Sequence, residues 1–154
     1  TIPFQMSSVE FFTMVKEHLN ENGVMVVNMN MRGNNEGNIN QYLSDTIASV
    51  FDHIVTVDVD GSTNRELYAS SNADMVKTLE NNANETGHSD LRDMMLHVAD
   101  TSSVYEAGDY IMTDDKAPVE LLGMQVIDQL IQGEVAYYKD IFEKDGINGL
   151  LESL

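Results

Sequence analysis

The tightest group of side chains able to do chemistry in this sequence is a set of carboxylates, Asp114, Asp115 and Glu120. A hard cation takes about six or more oxygen ligands, which is more than this spacing sets on one face. The three instead flank Pro118, where aspartates satisfy free amides and favour the positive end of a helix dipole. Capping a helix that starts at Pro118 is therefore the expected role, ahead of metal binding or acid–base work. Asn28 is the second candidate, because it interrupts the apolar run 24–29 near its carboxyl end. A buried amide there needs either a pocket-facing role or a bond to neighbouring backbone, and both readings stay open. His18, His53, His88 and His97 have no ligand spacing between them, which points to surface or incidental roles. A serine nucleophile has no supporting arrangement. With no cysteine in the chain, disulfides, thiolate catalysis and thiolate metal sites are excluded, and a reducing compartment is compatible. No catalytic residue is assigned.

The elements that would position these groups follow from periodicity. Ser7 and Glu10 bracket a capping box, opening a helix that buries Phe12, Val15 and Leu19 and ends at Asn22-Gly23. The run 24–29, bounded by Gly23 and the loop 33–37, reads as a strand covered on both faces, central and parallel. Ile39, Tyr42, Leu43, Thr46, Ile47 and Val50 recur at helical spacing, giving a second helix that ends near Phe51. From Ile54 to Asp60 valines alternate with polar residues, and Asp60-Gly61-Ser62 turns the chain into a return strand over 65–71. Met75, Val76 and Leu79 mark one satellite helix, and Leu91, Met94, Met95 and Val98 another behind a Ser89 cap, with 81–87 as a loop between them. A helix then runs from Pro118 through Val119, Leu122, Val126 and Leu130, and a last one holds Tyr137, Tyr138, Ile141 and Phe142 before Gly146. This order, helix, buried strand, helix, antiparallel strand pair, then C-terminal helices, fits an α/β layered sheet. With 154 residues, 42% of them hydrophobic, one domain spanning 1–154 is expected. Its sheet-forming part is 1–71 and its mainly helical part 72–154.

Charge narrows the partners. Eight Lys and Arg stand against 26 Asp and Glu, a formal charge of −18 that repels a phosphate backbone and argues against nucleic acid. A solvated acidic surface is the simpler reading, and an electrostatic funnel for a cationic polyamine remains open beside it. No apolar run approaches the roughly 18 residues of a membrane span, and the N-terminus lacks a signal-peptide pattern, so a soluble, cytoplasmic chain is expected. The start at Thr1-Ile2-Pro3 rather than Met reads as a boundary inside a longer protein.

Three segments carry a family likeness. Ile2-Pro3-Phe4-Gln5, Glu10-Phe11-Phe12 and Gly23-Val24-Met25-Val26-Val27-Asn28 resemble the "IPF … EFF … GVLVVN" stretch of spermidine synthase-like proteins, the polyamine aminopropyltransferases of the class I S-adenosylmethionine-dependent methyltransferase fold. Thr113-Asp114-Asp115-Lys116-Ala117-Pro118-Val119-Glu120 is similar to that group's "TDD-x-APVE" signature, found also in members fused to a membrane-transporter-like segment. The likeness covers residues 2 to about 125. It implies the C-terminal half of a Rossmann-like fold whose N-terminal half would carry the Gly-rich turn, the ribose-holding acid and the amine-holding aspartates. None of these is in this chain, so no cofactor site is expected here, while S-adenosylmethionine or its decarboxylated form is implied for the full-length protein. The resemblance sets Gln5 on the rim loop, where it could contact substrate, although packing of Ile2 and Phe4 as a hydrophobic staple is the favoured account. The implied parent is an aminopropyltransferase or methyltransferase, inactive as this fragment alone. A non-catalytic regulatory or interaction domain of a membrane-fused protein is the alternative. Its implied partners are the N-terminal half, a polyamine or other small molecule, and, because a half-domain leaves a strand edge and apolar helix faces uncovered, a second copy in a homodimer.

Overall fold

In a computed structural model, residues 3–30 and 36–153 are described. A single 3-10 turn, Phe4–Met6, leads into α1 (Val9–His18), followed by β1 (Val24–Asn30), α2 (Ile39–Ala48), β2 (His53–Asp58) and β3 (Asn64–Ser70). Helices α3 (Met75–Glu85) and α4 (Ser89–Thr101), the short strand β4 (Ser103–Val104) and the long helix α5 (Val119–Glu152) complete the order. The sheet runs β1-β3-β2-β4, and every pairing in it is antiparallel.

Strand period decides which face of the sheet each side chain meets. Met25, Val27 and Met29 turn inward with Leu67, Ala69 and Ile54, against Phe12 of α1 and Leu43 and Ile47 of α2. Ile47 and Leu67 are wholly buried, and each such side chain contributes about 1.5–3 kcal/mol. Val24, Val26, Val55 and Tyr68 lie on the opposite face, toward Met75, Val76 and Leu79 of α3 and Val98 of α4. The result is three layers, two helices on either side of a sheet.

The hairpin of β2 and β3 forms as expected, with Gly61 at φ 68 supplying the left-handed turn residue. Other expectations change. The run 24–29 is not a parallel, central strand: β1 pairs only with β3, antiparallel, at the edge of the described sheet. An apolar run looks doubly covered, but Val24 and Val26 are 40% and 53% exposed on the outer face. The α1 cap is Ser8, whose hydroxyl accepts from the Phe11 amide at 3.2 Å, while the Ser7 hydroxyl donates to the Phe4 carbonyl. The asparagine-rich stretch 81–87, expected as a loop, continues α3 to Glu85, because Ala83 is fully buried and Asn84 back-bonds the Glu80 carbonyl. Ser89 makes no cap bond for α4 and its hydroxyl meets Asp90 instead. The two expected C-terminal helices run together from Val119, and the helix breaks at Gly146, where the sequence closed it: Gly146 is non-helical at φ 64, ψ −157, and a short helical segment follows. Of the expected loop 33–37, only Glu36 and Gly37 fall within the described residues, and Ile2 of the expected staple falls outside them.

Candidate functional site

A cleft of about 460 Å³ opens where β1 ends, between that strand, the first turns of α2 and the root of α5. Alternation along β1 turns Met29 toward α2 and sets Asn28 and Asn30 on the face of Val24 and Val26, so the strand meets the cleft along its edge. Helix α2 is capped by its own Asn38, whose side chain accepts from the Gln41 amide at 3.0 Å, and this start presents Asn40 and Leu43 one turn apart. Asn40, only 7% exposed, donates to the Asn30 carbonyl at 2.6 Å and ties the helix to the strand end. Val119, Val126 and Ile127 of α5 supply the apolar third wall. The Asn40 amide is taken by the Asn30 carbonyl and the Asn30 amide oxygen accepts from the Thr63 hydroxyl at 3.3 Å, so the cleft is mainly an aliphatic space of small-molecule size with a polar edge. Among the described residues no carboxylate, histidine or lysine lines the cleft.

Asn28 is at this cleft, but the reason given for it from sequence needs correction: its side chain is exposed, not buried within a covered strand. Gln5 lies on the exposed 3-10 turn and is not among the residues lining the cleft. Asp114 serves a different helix from the one expected, while Glu120 lies in the first turn of α5, where the dipole argument placed it. Helix α5 starts behind Pro118 without a side-chain cap. Asp114 instead accepts from the Ser8 hydroxyl and its amide donates to Glu10 at 3.0 Å, while the Val9 amide donates to the Met112 carbonyl at 2.9 Å. The acidic turn thus fastens the N-terminus of α1, and Glu10, expected to close a capping box, closes this clasp instead. The histidines stay apart, and no group of three or more potential metal ligands occurs among the described residues.

Sequence reasoning passed over Asp45 and placed Thr46 on the inward stripe of α2 without giving it a role; both are buried. The Asp45 carboxylate accepts from the Tyr105 hydroxyl at 2.6 Å, the Gly108 amide at 3.0 Å and the Tyr110 amide at 3.1 Å. Thr46 accepts from the Met112 amide at 2.9 Å and returns its proton to the Tyr42 carbonyl. Burial, and then the bond to Asp45, raises the Tyr105 phenol well above its ordinary value. A polar triplet, Ser44-Asp45-Thr46, between the buried Leu43 and Ile47 was the available signal, since polar groups on a buried arc need partners.

The fold and cleft define a layered α/β protein with a small-molecule-sized cavity at a strand end. No family model matches the chain. It is 48% identical over 171 aligned residues to a protein of Bifidobacterium longum (strain NCC 2705) described as a probable polyamine aminopropyl transferase. The match takes in 100% of this chain and 38% of that relative, in its C-terminal part, so the chain spans well under half the relative's length. The family likeness carried by the motifs is thereby shown: over its whole length the chain is similar to the C-terminal part of a polyamine aminopropyl transferase.

Proposed function

We propose that this chain is the C-terminal portion of a polyamine aminopropyltransferase, or of a related S-adenosylmethionine-dependent transferase, and that it contributes a wall of the substrate pocket rather than the catalytic groups. The observation that carries this reading is the 48% identity maintained across the whole chain. The topology supports it: β1 and β2 are both antiparallel to β3, so they run in the same direction, joined through α2 as in a β-α-β unit of a Rossmann-like sheet.

The described residues of the cleft do not fit the nucleotide itself, because none of them is a carboxylate that could accept from ribose hydroxyls. S-adenosylmethionine or its decarboxylated form would be held by the N-terminal half, the partner expected to adjoin β1 at the edge of the described sheet. The cleft suits the hydrocarbon and amine parts of a polyamine, with Asn28 in reach of the ligand and Gln5 on the outer rim. Net charge of −18 favours approach of such a cation over an anion. In this reading residues 1–154 are one portion of a larger cytoplasmic, homodimeric enzyme, and alone they are inactive.

Titration calorimetry of the full-length protein tests the reading. Binding of putrescine together with S-adenosylmethionine or its decarboxylated form is expected. Binding of none of the three overturns it in favour of a non-catalytic interaction domain, which the long, largely exposed α5 would suit.

A further inference from the structure

Between β4 and α5 the chain crosses the molecule as an extended strap, 105–118, most of it without a strand partner. An extended segment needs homes for its amides, and here alternate ones are taken by two adjacent side chains of α2. Asp45 takes those of Gly108 and Tyr110, and Thr46 takes that of Met112. The fit at Gly108 is close enough that a Cβ there would stand 2.5 Å from the Asp45 carboxylate. From this lacing the strap reaches one wall of the cleft, the root of α5 at Val119, and the residues that lead into another, the start of α2 at Ile39 and Asn40. Tyr110 lays its ring against Gly37, which has φ 71 and where a Cβ would meet the ring at 3.2 Å, and its hydroxyl faces Glu36 at 3.3 Å. The same ring stacks at a tilt on Tyr42 of α2, centroids 4.9 Å apart. Beyond Met112 and Pro118 the strap becomes α5, whose Val119 and Leu122 are its buried anchors in the body.

We infer that Asp45 is a positioning residue for the cleft at the end of β1: through the strap it fixes Glu36–Gly37, which lead into the cleft-lining start of α2, and the root of α5. Asp45 touches no residue of the cleft lining directly; it acts through Tyr110 and the strap backbone. A carboxylate suits this place because all three of its partners are donors, and a carboxylate accepts without offering a proton of its own. The inference rests on the proposed function only in what the cleft binds.

Hydrogen–deuterium exchange on the full-length protein tests it, with Asp45→Asn, Tyr110→Ala and Tyr110→Phe. In Asp45→Asn one oxygen becomes an NH₂ facing an N–H donor. Exchange at Tyr110 and at Glu36–Gly37 should rise at least about tenfold while β2 and β3 stay protected. Tyr110→Ala should free Glu36–Gly37 with Gly108 still protected, and Tyr110→Phe, which keeps the ring on Gly37, should restore them. The same Asp45→Asn and Tyr110→Ala changes should weaken putrescine binding about tenfold, and Tyr110→Phe should not. Unchanged exchange at Glu36–Gly37 in Tyr110→Ala overturns the inference. So does loss of protection throughout β2 and β3 in that variant, which would make the contact a general support of the fold. If wild-type protein binds no putrescine while the exchange pattern holds, the substrate reading falls and the positioning role stands.

Discussion

Helices α2 and α5 share a composition rich in aliphatic side chains and differ in almost everything that composition leaves open. Helix α2, 10 residues long, buries Leu43 and Ile47 against the sheet and Asp45 and Thr46 against the strap. Helix α5, which spans 34 residues with a break at Gly146, buries Val119 and Leu122, walls the cleft with Val126 and Ile127, and is largely exposed beyond them. Met124, Ile131, Val135, Tyr137 and Phe142 are more than half exposed, and apolar residues run around the helix rather than along one stripe. A helix apolar on all sides is built to be surrounded. The contrast teaches that burial in this chain is set by what lies beside a helix, and that polar residues can be the more deeply buried ones where donors converge on them.

The sharpest way to break that contrast is at Ile47, which is 0% exposed. Ile47→Ala should destabilise the protein by about 3–4 kcal/mol, read from denaturant unfolding, through lost burial and the cavity left behind. Gly108→Ala should cost about 1–3 kcal/mol in the same measurement, because the new methyl group would press on the Asp45 carboxylate and overpack the lacing. Ile131→Ala in this chain alone should change stability by no more than about 0.5 kcal/mol, as expected of an exposed position. In the full-length protein a cost of about 2 kcal/mol or more would sharpen the contrast by placing α5 in an interior there.

The smallest effect concerns two ion pairs. Lys16 of α1 reaches across to the Val50 carbonyl at 2.7 Å and to Asp52 at 2.9 Å, joining two elements, whereas Lys144 and Asp140 pair within α5. The hydrogen bond from Lys16, then its charge, holds the Asp52 carboxyl below the ordinary value of 3.8. Whatever stability that bond adds is present above the unfolded value and is lost as pH falls through the lowered folded one. Carboxyl NMR titration should place Asp52 below 3.8, and Lys16→Met should return it there. An unchanged midpoint in that variant would remove the link between α1 and the end of α2.

What could be read from the sequence was whatever depends on near neighbours. The stripe of α2, the alternation of β2 and the Asp60-Gly61-Ser62 turn are local patterns, and each formed where periodicity put it. The capping of α1 was legible to within one residue, because Ser7 and Ser8 are chemically equal candidates and only the geometry of entry separates them. The role of Asp114 was misread because helix-capping chemistry does not say which helix is capped. Asp114 is 106 residues from the Ser8 hydroxyl it accepts from. Asn28 was found for the wrong reason, since an apolar run cannot report that one of its faces is open.

By itself the sequence determined the kinds of element, their order, the absence of sulfur chemistry and the family likeness, because side-chain period, turn residues and short motifs are carried within a few residues of one another. Tertiary structure alone decided that β1 lies at the edge of the described sheet, that three asparagines from a strand and a helix meet in one cleft, and that Asp45 laces a strap some 60 residues further along the chain. The physical reason is that burial and hydrogen-bond partnership belong to a place in space. Residues distant in sequence acquire them only when the layers close.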